Sequence, residues 1–213
     1  ERGRSLGEHG LPLMGSGDWN DGMDQVGAKG RGESVWLAFF RHDVLERFAR
    51  VARGRGDSAF AERCLGEAAE LRRSIEQHGW DGESYRRAYF DDGAPLGSAL
   101  NAECRIDSIA QSWSVLSRAG GAQRSRAAME ALDRHLVCRE QGLVKLLDPP
   151  FDTSAANPGY IKGYVPGIRE NGGQYTHAAI WAAMACAELG GARRAWDIFS
   201  MINPLNHARS AAG

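Results

Sequence analysis

Gln174-Tyr175-Thr176-His177-Ala178-Ala179-Ile180-Trp181-Ala182-Ala183-Met184-Ala185-Cys186-Ala187-Glu188-Leu189 is apolar nearly all round a helical wheel, so a helix made from it should be buried on every side. Ala192 to Ile202 then reads as an amphipathic helix, which makes a pair: one inner, one outer. Working outward, Glu33 to Arg53 carries Trp36, Leu37, Phe40, Val44, Leu45, Phe48 and Val51 as a helical stripe with Arg and Glu on the other face. Ser58 is placed to N-cap a second helix, Ala59 to about Gln77, which Gly79 ends. Helical periodicity resumes from Asp107 to Ser117 and from Ala122 to about Cys138, parted by Gly120-Gly121. Between Trp80 and Asn101 the pattern breaks, which suggests a short hairpin around Asp92-Gly93 or an irregular excursion, the only place where a β element is expected. Without alternating strands, the order of elements predicts an all-α domain of stacked helix pairs, inner apolar helices alternating with outer amphipathic ones. No repeat with the roughly 30- to 50-residue period of an ordinary solenoid is present.

Composition narrows the function. The 213 residues carry 26 Lys and Arg against 27 Asp and Glu, a net charge of −1, so there is no basic excess for nucleic acid or an anionic membrane surface. Four well-separated cysteines, Cys64, Cys104, Cys138 and Cys186, form no C-x-x-C pair and suit reduced, buried thiols in a cytoplasmic setting. No apolar run approaches the ~18 residues of a membrane span, and the N-terminus lacks a signal-peptide layout. The chain opens on Glu1-Arg2-Gly3-Arg4 without an initiator Met, and is expected to be a piece of a longer polypeptide. The 27 glycines exceed the usual share of about 7%. Nine of them fall in the first 32 residues, which read as one long functional loop.

That loop holds the first chemical candidate, Gly15-Ser16-Gly17-Asp18-Trp19-Asn20-Asp21-Gly22-Met23-Asp24. Two carboxylates flank a Trp-Asn pair, which suits a sugar: an aromatic plate for the ring face, an amide for hydroxyls, and a carboxyl to protonate a glycosidic oxygen. A capped structural turn explains the same residues equally well. A calcium loop does not, because counting from Asp18 puts Gly22, Met23 and Lys29 where an oxygen ligand, a Gly and a Glu are required. The second candidate is Pro166 to His177, containing Arg169, Glu170, Asn171, Gly172 and Gly173. Its two glycines should free backbone N–H groups at a helix start, where an anion or a sugar oxygen is favoured. His177 would lie one turn in, beside Trp181, either as a satisfied core histidine or as part of the site. Trp80 to Tyr89 and Asp107 to Trp113 are weak signals taken singly. Nucleophile-elbow, Walker, H-E-x-x-H and strand-linked dinucleotide motifs are missing.

Taken in order, Gly17-Asp18-Trp19-Asn20-Asp21-Gly22-Met23, Trp80-Asp81 through Tyr89, Gln111-Ser112-Trp113 and Glu170-Asn171-Gly172-Gly173 through His177 resemble the catalytic domain of glycoside hydrolase family 94. That family contains cellobiose and chitobiose phosphorylases and the C-terminal region of cyclic β-1,2-glucan synthases. The segments Gly167 to His177 and Ile202 to Arg209 look most like the glucan-synthase branch. The resemblance runs over nearly all of residues 1–213, as one domain. It implies an (α/α)6 barrel of twelve helices in two rings, of which about half are present here. It also implies that Asp21 is the general acid, that Trp19, Asn20, Arg169, Glu170 and Asn171 contact sugar, and that His177 with Gly172 and Gly173 holds phosphate.

The implied reaction is inverting phosphorolysis of β-linked glucosides, β-1,2-glucan foremost, with inorganic phosphate as co-substrate and neither a metal nor an organic cofactor. One acid and one anion pocket suffice, since phosphate is already an anionic nucleophile, whereas an inverting hydrolase needs a second carboxylate to activate water. Glu170 is the candidate for that second carboxylate. A non-catalytic helical domain that binds carbohydrate is the third reading. Segments of the family's site upstream and downstream are absent, and Asp24 stands where Asn is expected, so the chain alone is expected to be inactive. An isolated half-ring should expose apolar helix faces to the rest of the parent polypeptide and, by itself, aggregate or oligomerise, a homodimer included. Membrane anchoring through other parts of the parent is left open.

Overall fold

A computed structural model describes residues 4–208. Among these residues, six helices form three sequential pairs: α1 (Val35–Gly54) with α2 (Ser58–Ser74), α3 (Ser108–Leu116) with α4 (Ala122–Leu136), and α5 (Thr176–Glu188) with α6 (Ala192–Met201). A seventh, one-turn helix, α7 (Pro204–His207), follows. α1 packs on α3 and α3 on α5, so these three make the inner layer while α2, α4 and α6 back them. This is the expected partial helical barrel of inner and outer helices. No helix among the described residues is long and apolar enough to cross a membrane.

The pairs are tight because small residues meet at their contacts. Ala49, Ala52, Ala61 and Cys64 form the α1–α2 seam, and Ala179, Ala182, Ala183, Ala185 and Cys186 bring α5 against its neighbours, with Ile198 and Ile202 covering them from the α6 side. Side chains this small let helix axes approach closely, and Leu132 and Leu136, fully buried from α4, fill what remains, each worth about 1.5–3 kcal/mol of burial. The four cysteines are free thiols, three of them buried.

Several expectations need correcting. Asp57, not Ser58, caps α2: its carboxylate accepts from Phe60 N at 2.9 Å, and Ser58 is already helical. α5 is not buried all round, because Met184 is half exposed and Ile180 and Trp181 partly so, leaving an apolar stripe one side wide. The hairpin around Asp92-Gly93 forms, but it is not the only β element. β1 (Glu33–Ser34), β2 (Ala88–Tyr89) and β3 (Pro95–Leu96) make a three-stranded antiparallel sheet in that order. β4 (Ile106–Asp107) pairs with β7 (Leu147–Asp148), and β5 (Val137–Cys138) with β6 (Leu143–Val144). Two-residue strands carry no periodicity, so they leave no sequence trace. Their use is positional: β1 leads into α1 and β4 into α3, which ties the starts of two inner helices to the long loops.

Candidate active site

The glycine-rich loop before α1 is folded around one side chain. Asp18 is fully buried, and its carboxylate takes a bidentate pair from Arg87, Nη2 to Oδ1 at 2.6 Å and Nη1 to Oδ2 at 2.7 Å. Ser34 Oγ adds a third bond at 2.6 Å and Asn20 N a fourth at 3.0 Å. Burial alone would raise this carboxyl's pKa, but the Arg87 charge and these donors outweigh it, and the net shift is downward. Asp107 lies on the other flank of Arg87, Oδ2 to Nε at 3.4 Å, equally buried. There burial wins against the pull of Arg87 and pushes the carboxyl up to about 6.

Asp107 therefore favours the folded state as its acid form. Its contribution is complete below the unfolded value near 3.8 and is lost as pH rises through about 6, whereas Asp18, shifted down, loses its contribution only as pH falls below 3.8. Asp107→Asn should accordingly flatten the fall in melting temperature between pH 4.5 and about 7. Thermal melts across that range check this, and an unchanged slope in the variant would contradict it.

Three residues on, Asp21 has the opposite surroundings. It opens a 3-10 turn, Asp21–Met23, that Asn20 caps by accepting from Gly22 N at 3.1 Å, and it is exposed. This turn docks on a second one, Tyr160–Gly163, through Gln25 N to Pro158 O at 3.1 Å and Tyr160 N to Asp24 Oδ1 at 3.2 Å. Partial desolvation, then the nearby Asp21 carboxylate, raises the Tyr160 phenol above its ordinary pKa. Tyr164 stands edge-on to Tyr160 at 6.2 Å, and the Arg169 guanidinium lies over the Tyr164 ring at 4.7 Å. Arg169 Nε in turn sits 3.3 Å from Glu170 Oε2, a nearly buried oxygen with no hydrogen-bond partner among the described residues. Asp21, Arg169 and Glu170 are thus joined through two tyrosines that the sequence did not single out. A signal existed in the close spacing of Tyr160 and Tyr164 within a Pro/Gly-rich loop, but nothing local tied it to a turn more than a hundred residues away.

On its other side the loop presents Trp19 to α5. The Trp19 ring lies 5.5 Å from His177, 5.3 Å from Tyr175 and 5.5 Å from Trp181, while His177 is 4.5 Å from Trp181, one turn along as the spacing predicts. Trp36 and Trp113 extend this aromatic floor into α1 and α3.

The geometry revises how the remaining candidates act. Asn171 is fully buried, and its side chain bonds Phe151 N, Phe151 O and Tyr164 O at 2.7–2.8 Å, which holds the loop together and leaves its amide engaged with backbone. Gly172 and Gly173 do not lie at the helix start: α5 begins at Thr176, and Gly172 N donates to Glu170 O at 3.0 Å. They are glycine for space. Gly172 has φ +81°, and a Cβ on Gly173 would fall 2.8 Å from the carbonyl oxygens of both Arg169 and Gly167. The unsatisfied amides are those of Thr176, His177 and Ala178, since α5 has no side-chain cap. Asn20 uses its oxygen for the turn, while its Nδ2 is buried without a partner among the described residues. Asp81 and Gln111, from the weaker segments, brace backbone at Ala99 and Tyr85.

Sequence comparison decides the family, because the profile of the "Glycosyl hydrolase 94 superfamily, catalytic domain" matches residues 2–212. The chain belongs to the glycosyl hydrolase 94 superfamily. Among its relatives in that superfamily, the cyclic beta-(1,2)-glucan synthase NdvB of Rhizobium meliloti (strain 1021) is 54% identical over 207 residues, which is 96% of this chain and 7% of the relative. Solabiose phosphorylase of Paenibacillus borealis is 35% identical over 210 residues, 95% of this chain and 27% of the relative. N,N'-diacetylchitobiose phosphorylase of Vibrio furnissii is 33% identical over 191 residues, 89% and 23% respectively. The chain therefore spans about a quarter of the phosphorylases' length, and far less of the synthase's. Membership gives it the superfamily, whose relatives named above are a glucan synthase and two phosphorylases.

Proposed function

We propose that this chain carries the acid-bearing part of a glycoside phosphorylase site that cleaves β-linked glucosides, β-1,2-glucan foremost, by inverting phosphorolysis. The observation that carries the reading is the placement around Trp19. Two residues after Trp19 stands an exposed carboxyl, Asp21, and against the Trp19 ring lies His177 in the first turn of an uncapped helix start. The names of the relatives, a β-1,2-glucan synthase and two phosphorylases, support the substrate class and the reaction.

In this mechanism the Trp19 indole supplies a flat apolar face for a pyranose ring, and Arg169 and Glu170 offer charged partners for hydroxyls around the scissile bond. Asp21 gives its proton to the leaving glycosidic oxygen as the bond lengthens, so the departing sugar leaves as a neutral alcohol. Phosphate attacks the anomeric carbon from the opposite face. The first-turn amides of α5 and the His177 imidazole would hold that anion, since the helix N-terminus favours negative charge and lowers the repulsion of bringing phosphate to the sugar. Gly172 and Gly173 act indirectly, by letting the Arg169–Asn171 turn fold close against the approach to α5.

The test uses the full-length gene product with β-1,2-gluco-oligosaccharide. Release of glucose 1-phosphate that depends on added phosphate is the expected result. Glucose release at the same rate in phosphate-free buffer would overturn phosphorolysis and make Glu170 the base of a hydrolase.

A further inference from the structure

We propose that Arg87 is the positioning residue for the proton-donating loop: held between Asp18 and Asp107, its guanidinium sets where Asp21 stands. The inference deepens the reading above and rests on Asp21 being the acid.

Arg87 has no exposed surface and lies far from Asp21 in sequence, just before β2. Its backbone is itself fixed, with N donating to Leu96 O at 2.8 Å and O accepting from Val35 N at 3.2 Å. The planar fork meets both oxygens of Asp18, which removes rotational freedom at that carboxylate. Asp18 Oδ1 also accepts from Asn20 N, and Asn20 Oδ1 accepts from Gly22 N, so two short links carry the position of the guanidinium to the turn that bears Asp21. The same hub holds two inner helices. Ser34 Oγ donates to Asp18 and accepts from Leu37 N to cap α1, and Asp107 Oδ1 accepts from Ile109 N to cap α3. One cation thereby fixes the acid loop against the frame that carries Trp36 and Trp113 of the aromatic floor. A buried ion pair of this kind adds little net stability over well-packed apolar residues, so its use is geometric. Lysine cannot replace the fork, because an ammonium meets a carboxylate at a point and leaves its second oxygen unheld.

The test compares two donors in the full-length gene product: a β-linked glucobiose, whose sugar must be protonated to leave, and dinitrophenyl β-glucoside, whose phenolate leaves without a proton. Asp21→Asn should lose about 100-fold or more in kcat on the first and much less on the second, which establishes the acid independently. Arg87→Lys should then show the same selective pattern, about 10- to 100-fold on glucobiose with little change in KM and only a few-fold on the aryl glucoside. Equal losses on both donors, or no loss, would overturn the positioning role while leaving Asp21 as the acid. If Asp21→Asn shows no dependence on the leaving group, the acid assignment fails and this inference with it. Should Arg87→Lys not fold, Asp18→Asn, nearly isosteric, is read by the same comparison.

Discussion

Asp21→Asn in the full-length gene product should lower kcat for phosphorolysis of a sugar-leaving substrate by about 10²- to 10⁴-fold, with a melting curve superimposable on wild type. The split between activity and stability follows from the surroundings of this carboxyl. Asp21 is exposed at the head of a turn whose cap is Asn20, and its side chain makes no hydrogen bond to the described residues. Amide for carboxyl keeps the shape but removes the proton that the leaving oxygen needs. Initial rates of glucose 1-phosphate release, paired with thermal melts, measure both quantities. A rate within a few-fold of wild type would remove Asp21 from the chemistry.

Arg87→Met should act the other way round, as a stability lesion of about 3–5 kcal/mol read from the urea midpoint. The substitution keeps much of the volume but strands Asp18 and Asp107 in the interior without their shared cation. Against a total stability of about 5–15 kcal/mol for a domain, that is enough to unfold a marginal protein. Adding Asp18→Asn to Arg87→Met should recover part of the loss, because the worst of the stranded charge is gone. A double variant less stable than Arg87→Met alone would show that the pair is not the interacting unit.

Much of the architecture was readable from the chain. Five of the six long helices were placed within about two residues of their observed ends, since apolar spacing at the helical period is a local property. The exception in detail was α2, where a π turn, Ile75–Gly79, takes over after Ser74. The Asp92-Gly93 hairpin was equally local. The two-residue strands were not legible, and neither was the exposed stripe of α5, because an alanine-rich helix looks alike on all faces until its neighbours are known.

For the proposed site, the sequence by itself determined which segments are candidates: the Gly17 to Met23 run, the Glu170 to His177 run and their order, which no fold is needed to read. The resemblance already singled out Asp21, but only the tertiary structure gives the physical difference between the two like carboxyls, one buried and paired and the other exposed. Asp18 and Asp21 are the same residue type in one short motif, yet a guanidinium from before β2 neutralises and buries the first, while the turn that results lifts the second into solvent beside Tyr160. The difference lies in long-range electrostatics, a cation almost seventy residues away brought to 2.6 Å, and that distance exists only once the chain has folded.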